Sequence, residues 1–270
     1  MADISFYRNL QLPFVEGKRC YADELTYHRH FHEEYSIGLI HHGHTDAWCD
    51  GKLWEVEAGR MISFPPHMLH ACHPKQGLKW SYDMLFIDPQ WLEGMEQEEL
   101  AQIDIPYLLS ARKNQDCTMQ MHQTMNSLMN GNDPLETETA LIGLLQQLTG
   151  SEYGDLEHQS MTSLADRKYV GIVQEYLHAN FHRPILLEEL EQVTSISRFH
   201  LIRLFKQWQH VPPHVYQNLL RINYAKTELH RQRPIVEVAT EVGFYDQSHF
   251  TRMFTRVVGV TPRRYKVSVI

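Results

Sequence analysis

Histidine is concentrated in one stretch of this sequence. Nine of the 18 histidines fall between His28 and His73. Imidazole titrates near neutrality and is a common ligand of transition metals. In the run His28-Arg29-His30-Phe31-His32-Glu33-Glu34, alternate residues would share one face of a strand. His28, His30, His32 and Glu34 are then expected to point the same way. Two imidazoles two residues apart, with a third from a neighbouring strand, can hold one divalent ion. The same set can line a pocket for an organic effector or titrate together as a pH sensor. The sequence leaves all three open. No nucleophile–base pair and no phosphate-binding loop is apparent.

Arginine supplies the second chemistry. Residues 193–216 (VTSISRFHLIRLFKQWQHVPPHVY) and 242–265 (VGFYDQSHFTRMFTRVVGVTPRRY) align at an offset of 49 without gaps, and seven of 24 positions are identical. The matched pairs include His200/His249, Arg203/Arg252, Phe205/Phe254, Pro213/Pro262 and Tyr216/Tyr265. Each unit reads as helix, short turn, helix. The first helices are expected at Leu187–Val193 and Ile235–Val242, and the turns at Thr194–Ile196 and Gly243–Tyr245. Ser197 and Asp246 suit the N-caps of the second helices. Leu201, Leu204, Phe205 and Trp208, like Phe250, Met253, Phe254 and Val257, follow i, i+3, i+4, i+7, so one face of each second helix is buried. Pro213 and Pro262 stop those helices from continuing.

The opposite faces carry Arg198, Phe199, Ile202, Arg203 and Lys206 in one unit. In the other they carry Gln247, Ser248, Thr251, Arg252, Thr255 and Arg256. Arginine pairs with guanine edges, glutamine with adenine, and apolar groups with thymine methyls. We take Phe199, Ile202, Arg203, Gln247, Ser248 and Arg252 as base-reading candidates. Arg198, Lys206, Arg256, Arg263 and Arg264 are phosphate candidates, giving affinity without specificity. A long amphipathic helix over 214–230 would hold the two reading helices at a fixed separation. They could then enter successive major grooves of double-stranded DNA, about 34 Å apart, at an asymmetric site.

These features sit in a chain of 270 residues with a net charge of −8, which by itself disfavours a nucleic-acid partner. The average misleads. Residues 167–270 hold 15 Lys+Arg against 8 Asp+Glu, or +7, and the remainder carries −15. Such asymmetry suggests that one part touches a polyanion and the other does not. With 43% hydrophobic and 21% charged residues the chain is globular, not disordered. No apolar run approaches the roughly 20 residues of a membrane span. No secretory signal is evident, so the cytoplasm is expected. The four cysteines form no CxxC and read as free thiols.

The acidic part divides further. Residues 12–90 alternate in polarity, with turn signals at Gly43, Asp50-Gly51, Ala58-Gly59 and Pro65-Pro66, as in a small β-barrel or sandwich. Residues 115–149 change to helical period, with Met121, Met125, Leu128 and Met129, then Leu141, Leu144, Leu145 and Leu148. Those apolar stripes can close a core or face a second copy, and we read them as a dimer face. The polar stretch 150–163 looks like a connector.

The basic segment, from about Arg167 to Lys266, resembles the DNA-binding domain of the AraC/XylS transcriptional regulators. The similarity rests on Val242-Gly243-Phe244, Asp246-Gln247-Ser248-His249-Phe250, Arg252, Phe254 and Gly259-Val260-Thr261-Pro262-Arg263-Arg264-Tyr265. In the first unit it rests on Ser197, Leu201, Arg203-Leu204-Phe205-Lys206, Pro213 and Tyr216. The resemblance implies two helix-turn-helix motifs and promoter binding, more often for activation than repression. The first unit departs from the pattern. Glu191 stands where alanine is usual, and Ser195 and His210 stand where glycine is usual. A non-glycine residue in a left-handed position costs on the order of 1 kcal/mol.

The amino-terminal part resembles the cupin barrel that often precedes such a domain, through His30-Phe31-His32 and the Gly59…Pro65-Pro66-His67-Met68-Leu69-His70 stretch. In metal-binding cupins these would be an HxH pair and a later histidine, so His30, His32 and His70, with Glu34 as a substitute carboxylate, become the pocket candidates. The usual glutamate is missing, because Ser36-Ile37 stands in its place and only Glu34 is near.

The expectation is therefore a multidomain α+β protein. It has a cupin-like β-barrel over 1–110, a helical dimerisation segment over 111–150 and a linker over 151–166. An all-α DNA-binding domain over 167–270 carries helix-turn-helix motifs at about 187–208 and 235–258. The function expected is a homodimeric, non-enzymatic transcriptional regulator sensing a small molecule or a divalent metal, with RNA polymerase as partner if it activates. The rival is a metal-dependent cupin oxygenase or isomerase using His30, His32 and His70.

Overall fold

The structure, a computed structural model, describes residues 2–22, 27–49, 51–74, 79–93, 108–109, 111–131, 134–149 and 164–267. The expected linker, 151–166, lies almost wholly outside these. The chain divides into two compact units, Met1–Leu156 with Val267–Ile270, and Glu157–Lys266.

The first unit is built on β1 (Asp3–Arg8), β2 (Val15–Ala22), β3 (Tyr35–His42), β4 (His44–Cys49), β5 (Lys52–Glu57), β6 (Met61–Phe64), β7 (His70–Pro74) and β8 (Trp80–Ile87). Helices α1 (Pro89–Glu93), α2 (Ala111–Asn130) and α3 (Pro134–Thr149) follow. The strands form two antiparallel sheets, β1-β2-β8-β3-β6 and β5-β4-β7. Among the described residues these sheets do not close into the single barrel expected.

Strand alternation sorts the five-stranded sheet into two faces. Ile37, Leu39, Met61, Leu85 and Ile87 join one core with Cys117, Met121, Met125 and Leu128 of α2 and Leu141, Leu144, Leu145 and Leu148 of α3. The stripes read as a dimer face are thus buried inside the chain itself. A dimer surface on these helices would have to use their other sides. On the opposite face of the sheet, Lys18, Ile62, Phe64, Tyr82, Met84 and Phe86 line a cavity with Thr45 and Cys72 of the smaller sheet.

The second unit is helical, with α4 (Leu164–Asn180), α5 (Leu187–Thr194), α6 (Arg198–Gln209), α7 (Pro213–His230), α8 (Ile235–Glu241), α9 (Gln247–Val258) and α10 (Pro262–Val267). The repeat is physical as well as sequential. Ser197 caps α6 by accepting from the His200 amide, and Asp246 caps α9 by accepting from the His249 amide at 2.7 Å. Phe205 meets Tyr216 edge-on at 5.5 Å, and Phe254 meets Tyr265 edge-on at 5.4 Å. His210 and Gly259 end α6 and α9 in the same left-handed conformation.

Two expectations need correction. Pro213 and Pro262 do more than stop the preceding helices: each is the first residue of the next one, where its fixed φ is favourable and its missing N–H costs nothing. The two turns are also not of equal length. The left-handed residue is Ser195, three before Arg198, in the first unit, and Gly243, four before Gln247, in the second.

Candidate nucleic-acid interface and effector pocket

Burying Leu201, Leu204 and Phe205 turns the other side of α6 outward, where Arg203 and Lys206 are exposed and Ile202 is half-buried. The side chains of Arg198 and Phe199 lie outside the described residues. Burying Phe250, Phe254 and Val257 likewise exposes Gln247, Ser248, Arg252 and Arg256 on α9. Arg263 and Arg264 are exposed on α10. The two capped helices therefore each present an arginine at the same register, one turn beyond the N-terminus, with polar neighbours.

Buried polar residues of α7 hold the loop after α4, on which the turn before α9 packs. Arg221 Nε and Nη2 donate to the carbonyl oxygens of Phe181 and Arg183, at 2.7 and 3.0 Å. Gln217 donates to the same two carbonyls at 3.1 and 2.7 Å. Gly243 packs against this segment, and a Cβ there would overlap the carbonyl oxygen of His182.

In the first unit, residues 27–34 do not form the strand expected, apart from an isolated bridge at His30. His28 is exposed. Convergence arises differently. His30 and His70 exchange both backbone hydrogen bonds, at 2.9 and 2.8 Å, and the His67 amide donates to the His32 carbonyl at 2.7 Å. These bonds zip the 30–32 segment onto 67–70, so the ligating atoms of His30, His32 and His70 lie within 4.8 Å of one another. Glu34, the expected substitute carboxylate, is not in the cluster; its charge acts on His67 instead.

The tautomers suit ligation. A carbonyl only accepts, so Nδ1–H of His30 donates to the His28 oxygen at 2.8 Å and Nδ1–H of His70 to the Met68 oxygen at 2.9 Å. That leaves Nε2 of both with a lone pair, the arrangement typical of metal-binding histidines. Burial pushes the His70 pKa down to about 4, with the nearby Lys18 charge contributing, so His70 is neutral at ordinary pH. A pH sensor titrating near 6.5 is therefore not what His70 provides.

The cavity beside the cluster has about 30 Å³ of room, enough for about two or three waters. Its lining contains Lys18, Tyr27, Thr45, Cys72 and Tyr82 but no aspartate or glutamate among the described residues. Sequence reasoning missed Lys18. The signal was a lysine in phase with Cys20 and Ala22, the inward positions of β2.

Two family models match the chain: a "Helix-turn-helix domain" over residues 190–267 and an "AraC-like ligand binding domain" over 14–145. YbfI of Bacillus subtilis (strain 168), an uncharacterized HTH-type transcriptional regulator, is 27% identical across 90% of this chain and 89% of its own length. The HTH-type transcriptional activator RhaS of Escherichia coli O139:H28 is 25% identical across 92% of this chain and 90% of its own. Among solved structures, ToxT of Vibrio cholerae O395 aligns over 99% of this chain and 97% of its own, with a TM-score of 0.55 at 12% identity, a likeness of fold. No helix among the described residues is long and apolar enough to cross a membrane. The chain belongs to the AraC family of helix-turn-helix transcriptional regulators, with an AraC-like ligand-binding domain ahead of its DNA-binding domain.

Proposed function

We propose that this regulator reads two successive major grooves of promoter DNA through α6 and α9. It reports the occupancy of a divalent metal held by His30, His32 and His70. The observation that carries the sensing half is the zipped pair of segments 30–32 and 67–70. It brings three imidazoles together, and the Nδ1–H bonds of His30 and His70 leave their Nε2 atoms as donors toward an ion. Nitrogen-only ligation of this kind suits zinc or a neighbouring first-row ion. Such an ion, when bound, would supply a positive charge and an open ligand position.

Arg203 and Arg252 are the base readers, aided by Gln247, Ser248 and Ile202. Lys206, Arg256, Arg263 and Arg264 hold phosphate. A homodimer would use the outward sides of α2 and α3, where Leu135 is exposed. The RhaS likeness supports activation, with RNA polymerase as partner in the cytoplasm. Every relative named above is a regulator, which supports a non-enzymatic role for the pocket. A ToxT structure described with an unsaturated fatty acid shares only the fold with this chain, at 14% identity, so its ligand is not carried over.

The test is footprinting of the full-length protein across genomic DNA, with zinc and with a chelator. Paired protected boxes about one helical turn apart, changed in strength by zinc, are expected. Absence of sequence-specific boxes would overturn the DNA reading. Boxes indifferent to zinc, on protein that retains no metal, would overturn the sensing reading.

A further inference from the structure

The two helix-turn-helix units share a device that lies outside their aligned residues. In each, an arginine of the joint, a glutamate of the first helix and a tyrosine of the helix behind it are tied together. Arg183 Nη2 donates to Glu189 of α5 at 2.7 Å and to the Tyr176 hydroxyl of α4 at 2.9 Å. Tyr176 donates to the same Glu189 oxygen at 2.8 Å. Arg233 Nη1 meets Glu228 of α7 at 2.9 Å and Glu241 of α8 at 2.5 Å, and the Tyr224 hydroxyl of α7 donates to Glu241 at 3.1 Å. The two clamps grip opposite ends of their helices. Glu189 is in the first turn of α5, at the end remote from α6. Glu241 is the last residue of α8, two before the left-handed Gly243 that turns the chain toward α9.

Arg233 is itself held in place. Gln232 is left-handed at φ 62°, and the Arg233 amide turns back to donate to the Glu228 carbonyl at 3.3 Å. The Arg233 carbonyl accepts from Lys266 Nζ at 2.9 Å, and Gln232 donates to the Lys266 carbonyl at 3.1 Å, so α10 closes the joint. Glu228 is buried, with Arg231 on its other oxygen at 2.7 Å. One guanidinium thus stands between an anchored carboxylate on α7 and the carboxylate at the far end of α8, with Glu237 4.0 Å away. Charge-assisted bonds of this kind are short and directional, and without the arginine the same carboxylates would repel. We propose that Arg233 is a positioning residue: by tying the end of α8 to α7 it fixes the attitude of α9 relative to α6, and with it the interval between the two boxes the protein accepts. This rests on the reading of α6 and α9 as paired groove readers and adds the residue that sets their spacing. Glu189 lacks that leverage, because its clamp grips the end of α5 remote from α6.

The test uses full-length protein and a paired-box site that the wild type selects from randomised DNA. The site is remade with one base pair added to or removed from the interval, which moves the second box by about 3.4 Å. Anisotropy reads the affinity at each interval. Wild-type affinity should fall about tenfold at either altered interval, as expected of two rigidly held readers. Arg233→Met should fall by about threefold or less, because a looser joint lets α9 follow the displaced box. Arg233→Lys should move back toward the wild-type profile. Glu241→Gln, a mild isosteric change at a partly exposed side chain, should relax the interval as well, whereas the matched Glu189→Gln should keep the wild-type profile. Equal loss at every interval in Arg233→Met and Glu241→Gln would overturn the inference, since that is what simple destabilisation gives. Equal relaxation in Glu189→Gln and Glu241→Gln would overturn it too. If the wild type selects no paired boxes, the groove-reading assignment itself falls; if it selects them and the variants keep its profile, only the role of Arg233 does.

Discussion

Ser195 and Gly243 share a left-handed backbone in the two helix-turn-helix turns, at φ 58° and 83°, yet of the two only Gly243 must be a glycine for space. Ser195 is strained by its own Cβ alone. Ser195→Gly should therefore raise the stability of the helical unit, by about 0.5–1 kcal/mol. Gly243→Ala adds an overlap with the His182 carbonyl and crowds Arg221, so it should cost more, about 2–3 kcal/mol. Calorimetric melting of the full chain measures both. A Ser195→Gly protein no more stable than the wild type would mean that the serine hydroxyl recovers the strain.

Arg19 and Asp83 face each other across β2 and β8, joined by hydrogen bonds of 2.7 and 2.6 Å, with His41 Nε2 2.9 Å from the same carboxylate. Burial alone would raise the Asp83 pKa. The bonds from Arg19 and His41 outweigh it and hold the carboxyl below its ordinary value of 3.8. The folded state thus keeps Asp83 charged where the unfolded chain would protonate it. Its contribution is complete above the ordinary value and is lost as the pH falls through the depressed one. Asp83→Asn should flatten that acid limb and cost about 3 kcal/mol at neutral pH by leaving Arg19 unmatched. Denaturant titrations from pH 7 down to the acid limit would show it. An unchanged acid limb would assign the pH dependence to other carboxylates.

His70 is both a backbone partner of His30 and one corner of the imidazole cluster. His70→Gln keeps the backbone bridge and removes the ligating nitrogen. Stoichiometric metal should fall by 10-fold or more in affinity, while DNA affinity without metal should stay within a factor of about two. Equilibrium dialysis against zinc with a competing chelator reads the first, and fluorescence anisotropy reads the second. Retention of zinc by His70→Gln would place the ion elsewhere.

Residue pattern made the helical unit legible because a 3.6-residue period, N-caps and a duplicated sequence all demand the same structure. The caps at Ser197 and Asp246 and the inward faces of α6 and α9 follow from those signals. The pocket was only half legible. His30, His32 and His70 converge, but through a bridge and a loop, because reciprocal backbone bonds did what an extended strand was expected to do. Glu34 was misplaced for the same reason. Lys18 was invisible because a single charged residue in an alternating strand is ordinarily read as its solvent face. Only the smaller sheet, whose Thr45 and Cys72 line the same cavity, makes that position interior. The stripes on α2 and α3 show the converse limit: amphipathicity states that a face is covered, not by what.

Arg203 and Arg252 occupy equivalent positions on α6 and α9, but their helices are not equally well made. Asp246 caps α9 at 2.7 Å, whereas the Ser197 cap on α6 is long, at 3.4 Å, and the turn before α6 carries the strained Ser195. A better-ordered helix loses less entropy on docking, so base discrimination should be sharper through α9. Arg252→Ala should cost about 1–3 kcal/mol at the cognate site and little on random DNA. Arg203→Ala should cost less, and Ser195→Gly should narrow the gap by relieving the strain in the turn before α6. Lys206→Ala and Arg256→Ala should weaken all sequences alike and lower the slope of log affinity against log salt by about one each. Anisotropy titrations at several salt concentrations separate these outcomes. An Arg252→Ala protein that loses affinity equally on cognate and random DNA would make Arg252 a phosphate contact.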